Sequence, residues 1–193
     1  MEKEERIMSK GDKLKVKRQQ IRPFGAVYFG KYPQKGDVLE PLEWQVLCKK
    51  EDMVLLLSKN ILNFRIFDKI STDWKNCELR TWLNQEFYHQ AFSESEKKKM
   101  VNDEKTGDVV FILSKEEAES HLPEEKIERR STPYAKAISE KIYGGCRQNY
   151  WWLRDAVSNT YQVCYVMGEL FQDQQIDTFM GVVPAIWVRV KPE

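Results

Sequence analysis

Two apolar runs, LEWQVLCKK (42–50) and MVLLLSK (53–59), meet across the polar stretch Lys49-Lys50-Glu51-Asp52, and this pairing constrains the fold more than any other segment. So short a polar link between two strand-like runs reads as an antiparallel hairpin. Trp44 and Val46 fall on one face of its first arm. The preceding GAVYFGKYPQ (25–34) reads as a further strand, with Val27 and Phe29 along it and a Tyr-Pro exit. Strands return in the last third as YWWLR (150–154), YQVCYVM (161–167) and GVVPAIWVRV (181–190). In the last of these Val182, Ile186, Val188 and Val190 share a face with Trp187 opposite. Pro184 has no N–H to donate to a ladder, so that strand is expected to be bulged or at an edge there.

Helical signals fill the middle. In CELRTWLNQEFYHQAF, Leu79, Trp82, Leu83 and Phe87 form one stripe at helical spacing. Asn84, off that stripe, suits a bond to backbone better than one to a substrate. Ser93 and Glu96 fit a capping box that opens a second helix to about Val101. DVVFIL (108–113) reads as a buried strand, and Ser114 with Glu117 as a second capping box opening a helix to about His121. PEEKIERR (123–130) reads as a charged connection. Ser131 is placed to cap a helix with Pro133 in its first turn. The expectation is an α+β fold with antiparallel strands and two to four short helices, occupying residues 21–193 as one domain.

Residues 1–20 hold seven Lys/Arg and four Asp/Glu with few apolar residues, the pattern of a mobile charged tail. The whole chain nevertheless carries 31 Lys+Arg against 30 Asp+Glu. So even a balance argues against a dedicated nucleic-acid or membrane-surface partner, which normally shows one dominant sign. The 23 aromatic residues exclude full disorder, because that many rings need burial or a partner. No run approaches the ~20 apolar residues of a membrane span, and the N-terminal stretch has no signal-peptide core. A cytoplasmic setting with Cys48, Cys77, Cys146 and Cys164 reduced is the expectation. With no Cys-x-x-Cys pair, and only His89 and His121 to assist, no metal site and no cofactor are expected.

Eight separated segments carry a resemblance: FGKYPQ (29–34), PLEWQVL (41–47), LLLSK (55–59), LRTWLNQEFYHQAFSESEK (79–97), DVVFILSKEEA (108–118), TPYA (132–135), WWLRD (151–155) and GVVPAIWV (181–188). In order and spacing, from about Phe24 to Val190, they resemble a bacterial domain of unknown function, number 6273. The resemblance implies a C-type-lectin-like fold, related in architecture to formylglycine-generating enzymes and hypervariable binding proteins. It implies no established activity. This chain has Asp155 and Val183 where the family commonly has Ser and Arg.

In such folds the region after the WWLRD motif displays ligand-binding side chains. DAVSNT (155–160) and ELFQDQQIDTF (169–179), read as loops, supply Asp155, Asn159, Tyr161, Glu169, Gln172, Asp173, Gln175 and Asp177. Tyr, Asn and Gln combine apolar area with adaptable hydrogen bonding, which suits a glycan or a protein surface. Trp151 and Trp152 alternate across a strand, either as packed rings or as stacking platforms. Arg154 either recognises a ligand or braces the loops from a partly buried position. Neither Glu-Pro-Asn nor Trp-Asn-Asp occurs, so calcium-dependent sugar binding is not expected.

The candidate binding set is therefore Trp151, Trp152, Arg154, Asp155, Asn159, Tyr161, Asp173, Gln175 and Asp177, in a non-enzymatic module for a glycan or protein. An enzyme of the formylglycine-generating type is the first alternative. Such enzymes hold copper with a close cysteine pair, whereas Cys146 and Cys164 here stand eighteen positions apart. Cys146, beside Gly145 and Arg147, is also the thiol best placed to be reactive. A structural or assembly role in a larger bacterial or phage system is the second.

Overall fold

The computed structural model describes residues 24–144, 149–166 and 169–190; the charged stretch 1–20, Cys146 and Met167 lie outside them. Strands β1 (Ala26–Lys35), β2 (Val38–Lys50) and β3 (Met53–Ser58) run as an antiparallel meander, so the hairpin at 42–59 is present. Leu42, Trp44 and Val46 alternate along β2 and all enter the core. At Gly30 the β1 backbone takes a φ of +73°, and its N–H donates to Glu96 Oε1 at 2.8 Å. A Cβ there would meet the Phe92 ring at 2.7 Å, so only glycine fits.

Short strands β4 (Asn60–Ile61) and β5 (Asn63–Arg65) lead to a 3-10 turn (Trp74–Asn76) and helix α1 (Glu78–Trp82). The helix continues through a π-helical stretch (Leu83–Phe87) into α2 (Tyr88–Ala91). Leu79, Trp82, Leu83 and Phe87 are all buried, as their spacing requires. Both capping boxes form, at Ser93/Glu96 on α3 (Glu94–Lys97) and at Ser114/Glu117 on α4 (Lys115–His121).

Four local expectations are corrected. The helix from Ser93 stops at Lys97, because Met100–Val101 is strand β6, paired with the C-terminal strand. Of DVVFIL only Val110–Phe111 pairs, as β7. The charged connection contains helix α5 (Glu124–Ile127), and Ser131 belongs to β8 (Arg130–Ser131), which pairs in parallel with β4. Thr132 caps α6 (Pro133–Tyr143) instead, its Oγ1 accepting from the Ala135 N–H at 3.1 Å. With six α-helical segments among the described residues, the helical part is more broken than the two to four expected.

Strands β9 (Trp151–Ala156), β10 (Tyr161–Val166), β11 (Glu169–Gln175), β12 (Met180–Val182) and β13 (Ala185–Arg189) complete the chain. One sheet has the order β1-β2-β3-β13-β6, with β7 also on β13; the other is β11-β10-β9-β12-β5. The run 181–190 is thus two strands in two sheets. The chain changes sheet at Val183-Pro184, where the missing proline N–H costs nothing and the Pro184 carbonyl accepts from Ser58 N at 2.9 Å. Pairing is antiparallel throughout both larger sheets except where Gly181 on β12 meets Trp151 on β9. There Gly181 N donates to Tyr150 O at 2.8 Å, and a Cβ would sit 2.8 Å from the Ile61 side chain. The architecture is α+β, with two mainly antiparallel sheets and short helices. Among the described residues no helix is long and apolar enough to cross a membrane.

Candidate functional site

The nine candidate binding residues fall into two groups. Trp151 and Trp152 point to opposite sides of β9, yet both are fully buried, so the strand is covered on both faces at this point. Trp152 donates from Nε1 to Arg65 O at 2.9 Å and packs edge-on against Phe67. Neither ring offers a face to a ligand; both hold the fold. Arg154 is spent in the same way. Its Nη1 and Nη2 donate to Glu117 Oε2 and Oε1, each at 2.6 Å, and Nη1 also reaches Ile112 O at 2.7 Å. Burial pushes the Glu117 carboxyl up, but the paired donors and charge of Arg154 outweigh it and hold the group below the usual range. Asp155 accepts from the Lys115 N–H, adding a cap to α4. Arg154 and Asp155 tie β9 to α4, so both are positioned as braces.

The other five converge. Residues 169–175 form an edge strand rather than the expected loop, because β10 supplies the backbone partners along most of their length. Register places Tyr161 opposite Gln175 and Val163 opposite Asp173, so Tyr161, Gln175 and Asp173 share one face. Asn159 lies in the turn before β10, and Asp177 in the turn after β11. A bond from Ile176 N to Thr160 O, 3.1 Å, draws those two turns together. All five side chains are exposed. The alternate residues of β11 face the other way: Gln172 pairs opposite the buried Cys164, and Gln174 opposite the buried Gln162.

A cleft lies elsewhere, over the other sheet. Leu55, Trp187 and Phe111 line it together with Lys105, Glu117 and His121, around about 170 Å³ of space. A second, more open cleft of about 410 Å³ lies between β2 and the α5–β8 segment, where Arg129 Nη2 donates to Gln45 Oε1 at 2.8 Å. None of the nine candidates lines either cleft. The one signal for the first was Trp187, an aromatic ring opposite the apolar face of its strand. Lys105 and His121 carry no local pattern that singles them out.

The thiols offer little chemistry. Cys77 is buried as the N-cap of α1, its Sγ accepting from the Arg80 N–H, and burial pushes it up to about 12. Cys48 is also raised by burial, and Cys164 is buried on β10. Cys146 lies outside the described residues, so neither its reactivity nor a pairing with Cys164 has a geometry. Asn84 donates to the Arg80 and Val110 carbonyls and accepts from the Val109 and Val110 N–H groups. It is wholly engaged with backbone, as expected.

A family model described as a domain of unknown function (DUF6273) matches residues 51–190, well over half of the chain. The chain belongs to that family. The match takes in the braces of β9, the exposed corner at 159–177 and most of the first cleft, while β1 and β2 precede it. FGKYPQ and PLEWQVL, two of the eight segments that carry the resemblance, therefore lie outside the DUF6273 match. No curated protein and no solved structure matches the chain.

Proposed function

We propose that this DUF6273 domain is a non-enzymatic ligand-binding module of a bacterial cytoplasm, with a C-type-lectin-like fold, that recognises a glycan or a protein. The observation that carries the reading is the convergence of Asn159, Tyr161, Asp173, Gln175 and Asp177 on one exposed corner. Tyr161 supplies ring area, and the amides and carboxylates around it supply adaptable hydrogen bonding. The corner stands on the sheet whose strand β9 is anchored on both faces by the buried Trp151, Trp152 and Leu153, so its side chains are presented from a packed scaffold. The resemblance to C-type-lectin-like folds points to the same region of the chain.

Glycan and protein arrays probed with the full chain test the reading, alongside a variant carrying Tyr161→Ala, Asp173→Ala and Gln175→Ala. A ligand that binds the parent and loses at least about tenfold in affinity on the variant, with unchanged unfolding, supports it. No ligand on either array, or equal binding by both proteins, refutes it. Stoichiometric copper or iron in the purified protein would favour the enzyme alternative instead.

A further inference from the structure

The cleft over the other sheet has a different character from the exposed corner. Strands β3, β13 and β6 lie side by side, and their register sets Leu55, Trp187 and Val101 in one cross-strand row. Directly paired residues project from the same face, so the row is an apolar floor, extended by Phe111 from β7. α4 passes along one side, the 102–105 turn along another, and Lys50 stands at the end of β2. The cleft's space of about 170 Å³ is close to the size of a cavity of about 150 Å³ that takes one benzene ring. A single ring or a short branched chain fits; a sugar chain or a nucleotide does not.

Hydrogen-bond capacity along the buried part of the rim is one-sided, the exposed Glu104 carboxylate at its outer edge being paired with Lys50. Asp103 is buried, with Oδ1 accepting from Trp187 Nε1 at 3.1 Å and Oδ2 from the Thr106 N–H and hydroxyl. Glu117 accepts from both Arg154 nitrogens, from Ser114 N at 3.0 Å and from Lys105 Nζ at 3.3 Å. These buried acceptors are occupied, and the Glu117 charge is already matched by Arg154. The donors are not. An ammonium has three N–H groups. Lys50 spends one on Glu104, and Lys105 makes only its long contact with Glu117 and a 3.9 Å approach to Glu116. Both lysines are half exposed, so such pairs exchange readily. Among the described residues the His121 ring bonds to no protein group.

We propose that this cleft binds a small organic carboxylate, its ring or branched tail on Leu55, Phe111 and Trp187 and its carboxylate toward Lys105 and His121. The site is separate from the exposed corner and does not depend on that reading. Neither pocket size nor donor surplus alone would select this class; together they favour an anion with one compact apolar group.

Calorimetric titration and ligand-observed NMR with phenylacetate, and with phenethylamine as the cationic counterpart, test it on the full chain. Phenylacetate should bind with a Kd of about 1 mM or tighter, and phenethylamine at least about tenfold more weakly. Lys105→Met, at an exposed side chain, should weaken phenylacetate about fivefold or more without moving the unfolding midpoint. Val101→Trp, which fills the cleft, should abolish binding. Equal or tighter binding of the amine, no phenylacetate binding up to about 10 mM, or unchanged affinity in either variant would overturn the proposal.

Discussion

Replacing Arg154 by Met separates a brace from a ligand contact. In the native fold its guanidinium makes two bonds of 2.6 Å to Glu117 and one of 2.7 Å to Ile112 O, with side-chain exposures of 10% and 11% for the pair. Removing one partner of a buried pair costs about 3–5 kcal/mol, because the other charge is left in a poorly solvated place. Here Ser114 N and Lys105 Nζ still reach the stranded carboxylate, which puts the expected cost near the lower end, about 3 kcal/mol. With a urea m-value of about 2 kcal/mol/M, the midpoint should fall by about 1.5 M. Glu117→Gln in the Arg154→Met background removes the stranded charge, so the two changes should cost about 1–3 kcal/mol less together than their sum. Equilibrium urea unfolding followed by circular dichroism and tryptophan fluorescence measures all four corners of the cycle. A loss below about 1 kcal/mol for Arg154→Met, or simple additivity, refutes the brace. An Arg154 kept only for ligand contact would leave stability untouched.

The same carboxyl makes stability depend on pH. The folded Glu117 group titrates below its ordinary 4.5, so its contribution is fully present above that value and is lost as pH falls through the folded pKa. Acid titration of the unfolding free energy should show a decline that begins near pH 4.5 and is shallower in Glu117→Gln; identical slopes would rule this out. Gly181→Ala forces a methyl against Ile61 and the Tyr150 carbonyl, and should cost about 1–3 kcal/mol by chemical unfolding. Trp152→Phe gives up the bond to Arg65 O and leaves a void beside Phe67, for a loss of about 2–4 kcal/mol. By contrast, Asp177→Ala at the exposed corner should stay within about 0.5 kcal/mol of the parent; a larger loss would mean that this residue carries structure.

Local signals in the chain were reliable where one short-range rule acts alone. The stripe Leu79, Trp82, Leu83 and Phe87 is buried as its spacing demands, and both Ser/Glu capping boxes close because their partners are three residues apart. They failed where a distant partner decides. Met100 and Val101 look like the end of a helix until β13 arrives to pair with them. ELFQDQQ looks like a polar loop because its apolar content is low, and it becomes a strand only because β10 offers a backbone ladder. The site followed the same division. Asn159, Tyr161, Asp173, Gln175 and Asp177 are exposed polar or aromatic residues whose types suggested recognition. Trp151, Trp152 and Arg154 carried the same suggestion and are consumed by packing.

The hairpin at 42–59 was legible from eighteen residues, because an apolar run, a polar turn and a second apolar run leave the backbone few ways to bury both arms. What lies on the far side of β3 was not. That place is taken by β13, more than a hundred residues later, and only this pairing sets Trp187 beside Leu55 and opens the cleft under α4. Alternation along a strand states which residues share a face, since the pleat has a period of two. Whether that face meets solvent, a helix or another sheet depends on elements far away in the chain. For that reason two adjacent tryptophans on β9 are both core, and a lysine and a histidine with no motif between them come to line one cleft.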